Sequence, residues 1–325
     1  MASLRRLTRL ASKVFHIYVW RMVTPPAKQV APEVPDISIE TTNLCNAKCV
    51  FCANPVMERK KEPLDWDLFT KAIDEFIAMG GTNLDFNVVI GDPLLDKDIL
   101  KRGRYVKHFP QITENGFVTT LQWLHRFDLD ELFEAGFTWI SVSTTLSGRQ
   151  SYADFFGVDK YDQMLENLLK LLDENDKRGN PIIVLVHIKP TPESVATILD
   201  HPDYQRVRGR VGPELDERVR GRSFFVDDWL GTVQLPKYLK KRPLYPRRKR
   251  PCRLLYKGLM LYSNGNVGAC ACRDFEAAGE LILGNVEKDS LEEIWDGEKL
   301  TRLRDDWRQR NVVPEICKSC SHYLY

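Results

Sequence analysis

The chain of 325 residues predicts an α/β fold, and three observations carry that prediction. Strand-like and helix-like segments alternate between Asp36 and Val226, which implies parallel strands joined by crossover helices. The length and a 43% apolar content allow one large core, and no run of eighteen apolar residues marks a membrane span. All eight cysteines fall into two groups, 45–52 and 252–320, which favours metal sites in a reducing, cytoplasmic setting over a disulfide framework. Six βα units fit either an incomplete barrel or an open doubly wound sheet, and periodicity does not choose between them.

The elements follow in order. The first 23 residues hold Arg5, Arg6, Arg9, Lys13 and Arg21 and no acidic residue, with Leu4, Leu7, Leu10, Ala11, Val14 and Tyr18 at helical spacing. This basic amphipathic helix suits an anionic membrane surface or a transit peptide, and more commonly the open bottom of a barrel. A proline-rich stretch, Pro25 to Pro35, leads into predicted strands at Asp36 to Thr41, Leu84 to Ile90, Gly116 to Leu121, Thr138 to Thr144, Ile182 to Ile188 and Ser223 to Val226. Predicted helices lie at Trp66 to Met79, Asp96 to His108, Asp128 to Glu134, Tyr161 to Lys177 and Glu193 to Leu199. The expected division is a helix and linker at 1–35, a core at 36–230, a basic linker at 231–250 and a cysteine-bearing domain at 251–325.

The first strand runs into Cys45, Cys49 and Cys52, a Cys-x3-Cys-x2-Cys loop. Only a curled backbone puts three such sulfurs on one concave surface. A 4Fe-4S cluster has four irons, so three thiolates leave one iron open to another ligand. Zinc sites more often pair their ligands as Cys-x2-Cys modules. In parallel α/β folds chemistry gathers at the carboxyl ends of strands, where this loop sits. The second predicted strand ends in Gly91-Asp92-Pro93, in which glycine permits close backbone approach and an acidic group accepts from an ammonium.

This pattern resembles the radical SAM superfamily, with Phe51 at its customary aromatic position before the third cysteine. The resemblance implies a partial (β/α)6 TIM-type barrel, with a cluster on Cys45, Cys49 and Cys52 that binds S-adenosyl-L-methionine. It also implies cofactor contacts at Phe51, Gly91, Asp92, Pro93 and Ser143. The family usually has Gly-Gly-Glu-Pro after the second strand, whereas Ile90 and Asp92 stand here in place of the first Gly and the Glu.

In the second group Cys252 is followed by Gly265, Cys270, and the pair Cys317 and Cys320. The residues from Leu254 to Val267 read as a hairpin turning at Ser263-Asn264-Gly265-Asn266, and Ser290 opens a capping-box helix through Glu293. A zinc ribbon is the alternative to a second cluster. With Leu283-Gly284-Asn285 and Glu292-Glu293-Ile294-Trp295, the stretch resembles the twitch form of the SPASM domain, a small α+β iron-sulfur domain. The resemblance implies an auxiliary 4Fe-4S cluster on Cys252, Cys270, Cys317 and Cys320, with Cys272 either left over or standing in for Cys270.

A substrate radical is resolved by hydrogen-atom transfer from a thiol, inverting the carbon, or by loss of an electron and a proton, oxidising it. Both occur among twitch-type relatives in antibiotic biosynthesis, so the resemblance implies a carbohydrate epimerase with Cys272 as hydrogen donor. A dehydrogenase acting on a secondary alcohol is the alternative. A non-catalytic zinc-stabilised binding protein is a third reading. A flavodoxin- or ferredoxin-type electron donor is implied. From Arg206 to Arg250 fourteen Lys and Arg face five Asp and Glu, which disfavours a polycationic substrate and suits a neutral or phosphate-bearing sugar. No nucleic-acid-binding module accompanies the charge. Trp123, His125, His187, Lys189, Asp227 and Trp229 near strand ends are candidate substrate contacts.

Overall fold

The computed structural model describes residues 34–86, 89–244, 251–270 and 274–322. The basic N-terminal helix, the Arg247-Arg248-Lys249-Arg250 run and Cys272 lie outside the described residues.

Strand β1 (Asp36–Ile39) pairs in parallel with β2 (Leu84–Asp85). A parallel bridge, Asn83 to Glu114, and a hydrogen bond from the Phe86 N–H to the Gly116 carbonyl (2.9 Å) carry the arc on to β3 (Gly116–Thr119). Strands β4 (Trp139–Thr144) and β5 (Ile183–Ile188) follow, each parallel to the one before. The result is the parallel sheet of a partial barrel. Strand β6 (Phe225–Val226) does not extend that ladder among the described residues; it pairs with β7 (Lys240–Lys241).

Helix α1 (Trp66–Ala78) shows why these segments fold where they do. The Asp65 side chain accepts from the N–H groups of Asp67 and Leu68, satisfying two donors at the helix start. Phe69, Ala72, Ile73 and Phe76 recur at helical spacing and are buried, each large side chain stabilising by about 1.5–3 kcal/mol. Helices α2 (Ile99–Lys107), α3 (Leu129–Glu134), α5 (Tyr161–Lys177) and α6 (Val195–Leu199) fall where the pattern puts them, with α4 (Arg149–Phe156) between α3 and α5. Helix α4 was not expected from the sequence, nor were α7 (Pro202–Val211) and α8 (Glu214–Arg220). Asp96, expected to start α2, instead closes a single 3-10 turn over Pro93–Leu95.

The cysteine-rich end is joined to the barrel through backbone. Strand β8 (Gly258–Leu261) pairs in parallel with the outer edge of β1, from Asp36 opposite Gly258 to Ile39 opposite Leu261. A Cβ on Gly258 would lie 2.4 Å from the Asp36 carbonyl oxygen, so the close pairing needs glycine. Strand β9 (Asn266–Gly268) pairs antiparallel with β8, and β10 (Ile282–Asn285) antiparallel with β9, giving one sheet in the order β10-β9-β8-β1-β2. Leu254 to Tyr256, expected as the hairpin's first strand, form a 3-10 turn over Arg253–Tyr256. Ser290 caps α9 (Leu291–Trp295) with the predicted reciprocal Glu293 bond; α10 (Glu298–Arg310) and α11 (Glu315–Lys318) complete the chain.

Candidate functional site

The three cysteines of the first group sit half-buried on the loop leaving β1, and none is in a disulfide. The loop is fixed from several directions. Its backbone donates from Lys48 and Val50 to the Phe156 and Phe155 carbonyls (2.8 and 3.0 Å), so α4 backs it directly. Phe51 packs on Phe155 with ring centroids 5.2 Å apart. Asn46 donates to Gln122 Oε1 (2.7 Å) and accepts from Trp123 Nε1 (2.8 Å), and Gln122 in turn donates to the buried Tyr152 hydroxyl. Trp123, expected at the substrate, is therefore a strut of the cysteine loop.

Burial pushes all three thiols up. Cys45 rises to about 12, chiefly through burial and then through Asp92. Cys49 rises through burial and the neighbouring Cys52 and Cys45, and Cys52 through burial, while Lys61 favours the charged form of both Cys45 and Cys52. Three mutually interacting thiols in a dry setting hold little negative charge alone, and a metal core supplies the compensating charge. This donor set fits an iron-sulfur cluster with an iron left open.

The Gly91-Asp92-Pro93 turn lies against this loop. Gly91 has a φ of +142°, and a Cβ there would meet the Thr42 carbonyl oxygen at 2.4 Å. The Asp92 N–H donates to the Leu44 carbonyl (2.8 Å). Its buried carboxylate accepts from the Thr119 and Thr120 hydroxyls (2.7 and 2.6 Å), the Thr120 N–H (2.9 Å) and the Leu94 N–H (3.1 Å). Asp92 thus ties the β3 end and the Pro93 turn together, with four donors already on its side chain. The Asp92 and Pro93 carbonyls in turn accept from the Leu95 and Asp96 N–H groups (2.9 and 3.0 Å). Ser143 is half-exposed at the carboxyl end of β4, opposite His187 on β5.

The second cysteine group converges from separated segments. Cys252, Cys270, Cys317 and Cys320 line one cavity with Leu254, Leu255, Leu281, Trp307 and His322. Four thiol donors in an apolar hollow fit a fully ligated 4Fe-4S cluster. Among the described residues, no three His, Cys, Asp or Glu converge as the ligands of a single metal ion.

The two sites are clamped to each other. Glu40, fully buried at the end of β1, pairs with Arg59 at 2.8 Å and accepts from the Ser263 N–H and hydroxyl (3.2 and 3.0 Å) of the β8–β9 turn. The Arg59 guanidinium lies 5.3 Å from the Tyr262 ring centroid, and the Tyr262 hydroxyl donates to the Cys270 carbonyl (3.2 Å). Glu276 accepts from the Glu58 and Arg59 N–H groups (2.9 and 2.8 Å). Phe275 stands edge-on to Trp229 (5.6 Å), whose indole donates to the Phe51 carbonyl (2.7 Å). Around that pair Ala53, Met57 and Ile90 form a small apolar cluster, with Cys52 and Val89 packed against it. Asp227 is buried and accepts from the Trp229 N–H (2.7 Å) and the Ser321 hydroxyl, so these two candidate contacts also build the mouth rather than project into it. Phe275, Glu276, Gln122 and Asn46 gave no sequence signal, because their partners are distant in the chain. His187 and Lys189 reach a separate cleft that includes Phe51.

Residues 39–201 match the model of the radical SAM superfamily, and residues 252–321 match the SPASM iron-sulfur cluster-binding domain. The GTP 3′,8-cyclase of Chlorobaculum tepidum is 28% identical over 136 residues, covering 42% of this chain; the chain spans 40% of that relative's length. A probable GTP 3′,8-cyclase of Saccharolobus islandicus is 21% identical over 262 residues, covering 70% of this chain and 75% of that protein. The PqqA peptide cyclase of Xanthomonas euvesicatoria is 21% identical over 327 residues, covering 90% and 81%. Among solved structures, BtrN in complex with AdoMet and 2-DOIA superposes with a TM-score of 0.55 at 16% identity over 85% of this chain and 87% of that one. Streptococcus suis SuiB bound to S-adenosylmethionine gives 0.57 at 16% identity, over 90% and 73%. At these identities the structural likeness is one of fold.

Proposed function

The chain belongs to the radical SAM superfamily and carries a SPASM domain, so its cofactors are S-adenosyl-L-methionine and 4Fe-4S clusters, and from that premise we propose that it is a carbohydrate epimerase. Cys45, Cys49 and Cys52 are proposed to hold the cofactor-binding cluster, with the Gly91 turn, Phe51 and Ser143 around the S-adenosylmethionine. Cys252, Cys270, Cys317 and Cys320 are proposed to hold the auxiliary cluster. The boundaries 1–35, 36–230, 231–250 and 251–325 are proposed as the domain division, and the cytoplasm as the location. When bound, the first cluster and S-adenosylmethionine supply a 5′-deoxyadenosyl radical that takes a hydrogen atom from a substrate carbon.

One observation carries the choice of epimerase. Cys270 lines the cavity of the other three auxiliary cysteines, which supports giving that site four thiols, with Cys272 left over. Phe275 and Glu276, five and six residues beyond Cys270, are packed on Trp229 and bonded to the loop after Cys52. Cys272 therefore stands in the sequence between Cys270, which lines the auxiliary cavity, and Phe275, which packs on Trp229. The Cys272 S–H bond breaks as a new C–H bond forms on the opposite face of the substrate carbon. The sulfur radical left behind takes one electron and one proton, the electron coming from a low-potential flavodoxin- or ferredoxin-type donor. The relatives' names, GTP 3′,8-cyclase and PqqA peptide cyclase, span nucleotide and peptide substrates, so the choice of a sugar is carried by the resemblance to twitch-type enzymes that act on sugars.

Replacing Cys272 by Ala and Cys270 by Ala in parallel tests this, using the reconstituted enzyme with a panel of nucleotide sugars and oligosaccharides. Cys272→Ala is expected to keep the iron of both clusters and consume S-adenosylmethionine with substrate, yet release no inverted product. Cys270→Ala is expected to lose the auxiliary iron. Inverted product from Cys272→Ala at the wild-type rate contradicts the proposal.

A further inference from the structure

Three arginines of the basic stretch converge on one place. Arg218 from α8, Arg222 just after it and Arg242 just after β7 line a cleft of about 510 Å³ together with Lys189 and His187 from the end of β5. Phe51 of the cysteine loop forms part of its wall. That volume is in the range of small-molecule sites. No aspartate or glutamate lines it among the described residues.

Among the described residues the cations there lack the carboxylate partners that four of their neighbours have. Arg206, Arg208, Arg210 and Lys241 of the same stretch pair with Asp203, Asp216, Asp173 and Asp228. The cleft arginines bond to neutral acceptors instead: Arg218 to the Val186 carbonyl (3.3 Å), Arg222 to the Thr191 hydroxyl (3.3 Å) and the Glu193 carbonyl, and Arg242 to His322 (3.2 Å). The Arg222 Nε is buried with no hydrogen-bond partner. Glu193 acts on Arg222 from outside the lining and Cys49 acts on Lys189, which burial pushes toward its neutral form, so three guanidinium groups face one carboxylate. Like charges gathered in a partly dry cleft repel one another unless an anion joins them. Guanidinium forks match phosphate oxygens in pairs, and a single carboxylate leaves most of this charge uncompensated.

We propose that this cleft binds a phosphate or pyrophosphate group of the substrate, so that the sugar is processed as a phosphorylated or nucleotide-linked form. The anchor lies beside Phe51, and a group held there extends toward the cysteine loop. This rests on the reading that the substrate is a carbohydrate, and adds what holds it.

The test is calorimetric titration of inorganic pyrophosphate into the reconstituted two-cluster enzyme at low and at high salt, with and without saturating S-adenosylmethionine. Pyrophosphate is expected to bind, more weakly at high salt, and to stay bound when the cofactor is present. Arg218→Gln and Arg222→Gln are each expected to weaken binding about tenfold or more, with Arg222→Lys recovering part of the loss. Arg210→Gln, outside the cleft, is expected to bind as the wild type does. Iron content is measured first, and Arg242→Gln replaces any variant that fails to load both clusters. Absence of binding at low salt, wild-type affinity in the cleft variants, or displacement by S-adenosylmethionine each overturns the proposal, the last assigning the cleft to the cofactor. Binding of pyrophosphate is independent of epimerisation: a product with no solvent hydrogen removes the epimerase reading and leaves this one standing.

Discussion

The two cysteine sites are built by opposite means. The first takes all three sulfurs from eight consecutive residues, and the fold's task is to brace that loop from behind with α4, Gln122 and Trp123. The second takes four cysteines from three distant segments, which meet only because β8 pairs with β1 and the tail folds back over it. A local site carries its chemistry in its spacing and can lose that chemistry while the fold survives. A convergent site contributes to the fold that creates it, because metal binding energy there is also folding energy.

Single-cysteine variants should separate the two kinds most widely. Cys49→Ala is expected to abolish formation of 5′-deoxyadenosine while the melting temperature of the apoprotein stays close to the wild type's. Cys317→Ala is expected to lose half the iron and sulfide and to render residues beyond 251 sensitive to limited proteolysis. Equal proteolytic resistance of the two variants would erase the distinction.

The clamp between the sites comes next in size. Arg59→Met strips the ion partner from the fully buried Glu40, leaving it the two Ser263 donors. Urea unfolding should show a loss of about 3–5 kcal/mol. Gly91→Ala forces a Cβ against the Thr42 carbonyl in a backbone conformation that L side chains rarely adopt. About 1–3 kcal/mol of stability is expected to go, together with cofactor-dependent cleavage, because the strain falls where the Gly91 turn meets the segment leading into the cysteine loop.

The smallest effect belongs to the pair Arg208 and Asp216, which joins α7 to α8. Hydrogen bonds from Arg208 and then Tyr204 hold the Asp216 carboxyl down at about 2. Its folded value lies below its ordinary 3.8, so the pair's contribution is present above that value and disappears as pH falls through about 2. The difference in melting temperature between wild type and Asp216→Asn should therefore be seen at neutral pH and vanish near pH 2.

What the sequence made legible follows the same division. The alternation placed β1, β4, β5 and helices α1 and α5 within a few residues of their observed bounds, since each carries a long enough burial pattern of its own. Helix α4 escaped because it has eight residues between Gly148 and Gly157, both at positive φ, and those glycines read as a loop. That miss mattered, because α4 is what the cysteine loop rests on. The Gly-Asp-Pro turn was found by its position, but its acidic side chain is committed to Thr119, Thr120 and Leu94, contacts set by how β3 arrives. The basic stretch gave a sign without an address. Only the fold sorts Arg218, Arg222 and Arg242 into the cleft and Arg206, Arg208 and Arg210 into surface pairs.

The proposed epimerisation turns on the Cys272 thiol as the group that quenches the substrate radical. Turnover in deuterated water, with the product's deuterium located by mass spectrometry and NMR, tests it most directly. One deuterium at a single inverted carbon is predicted, absent from the Cys272→Ala reaction; inverted product carrying no deuterium, or a ketone in its place, contradicts it.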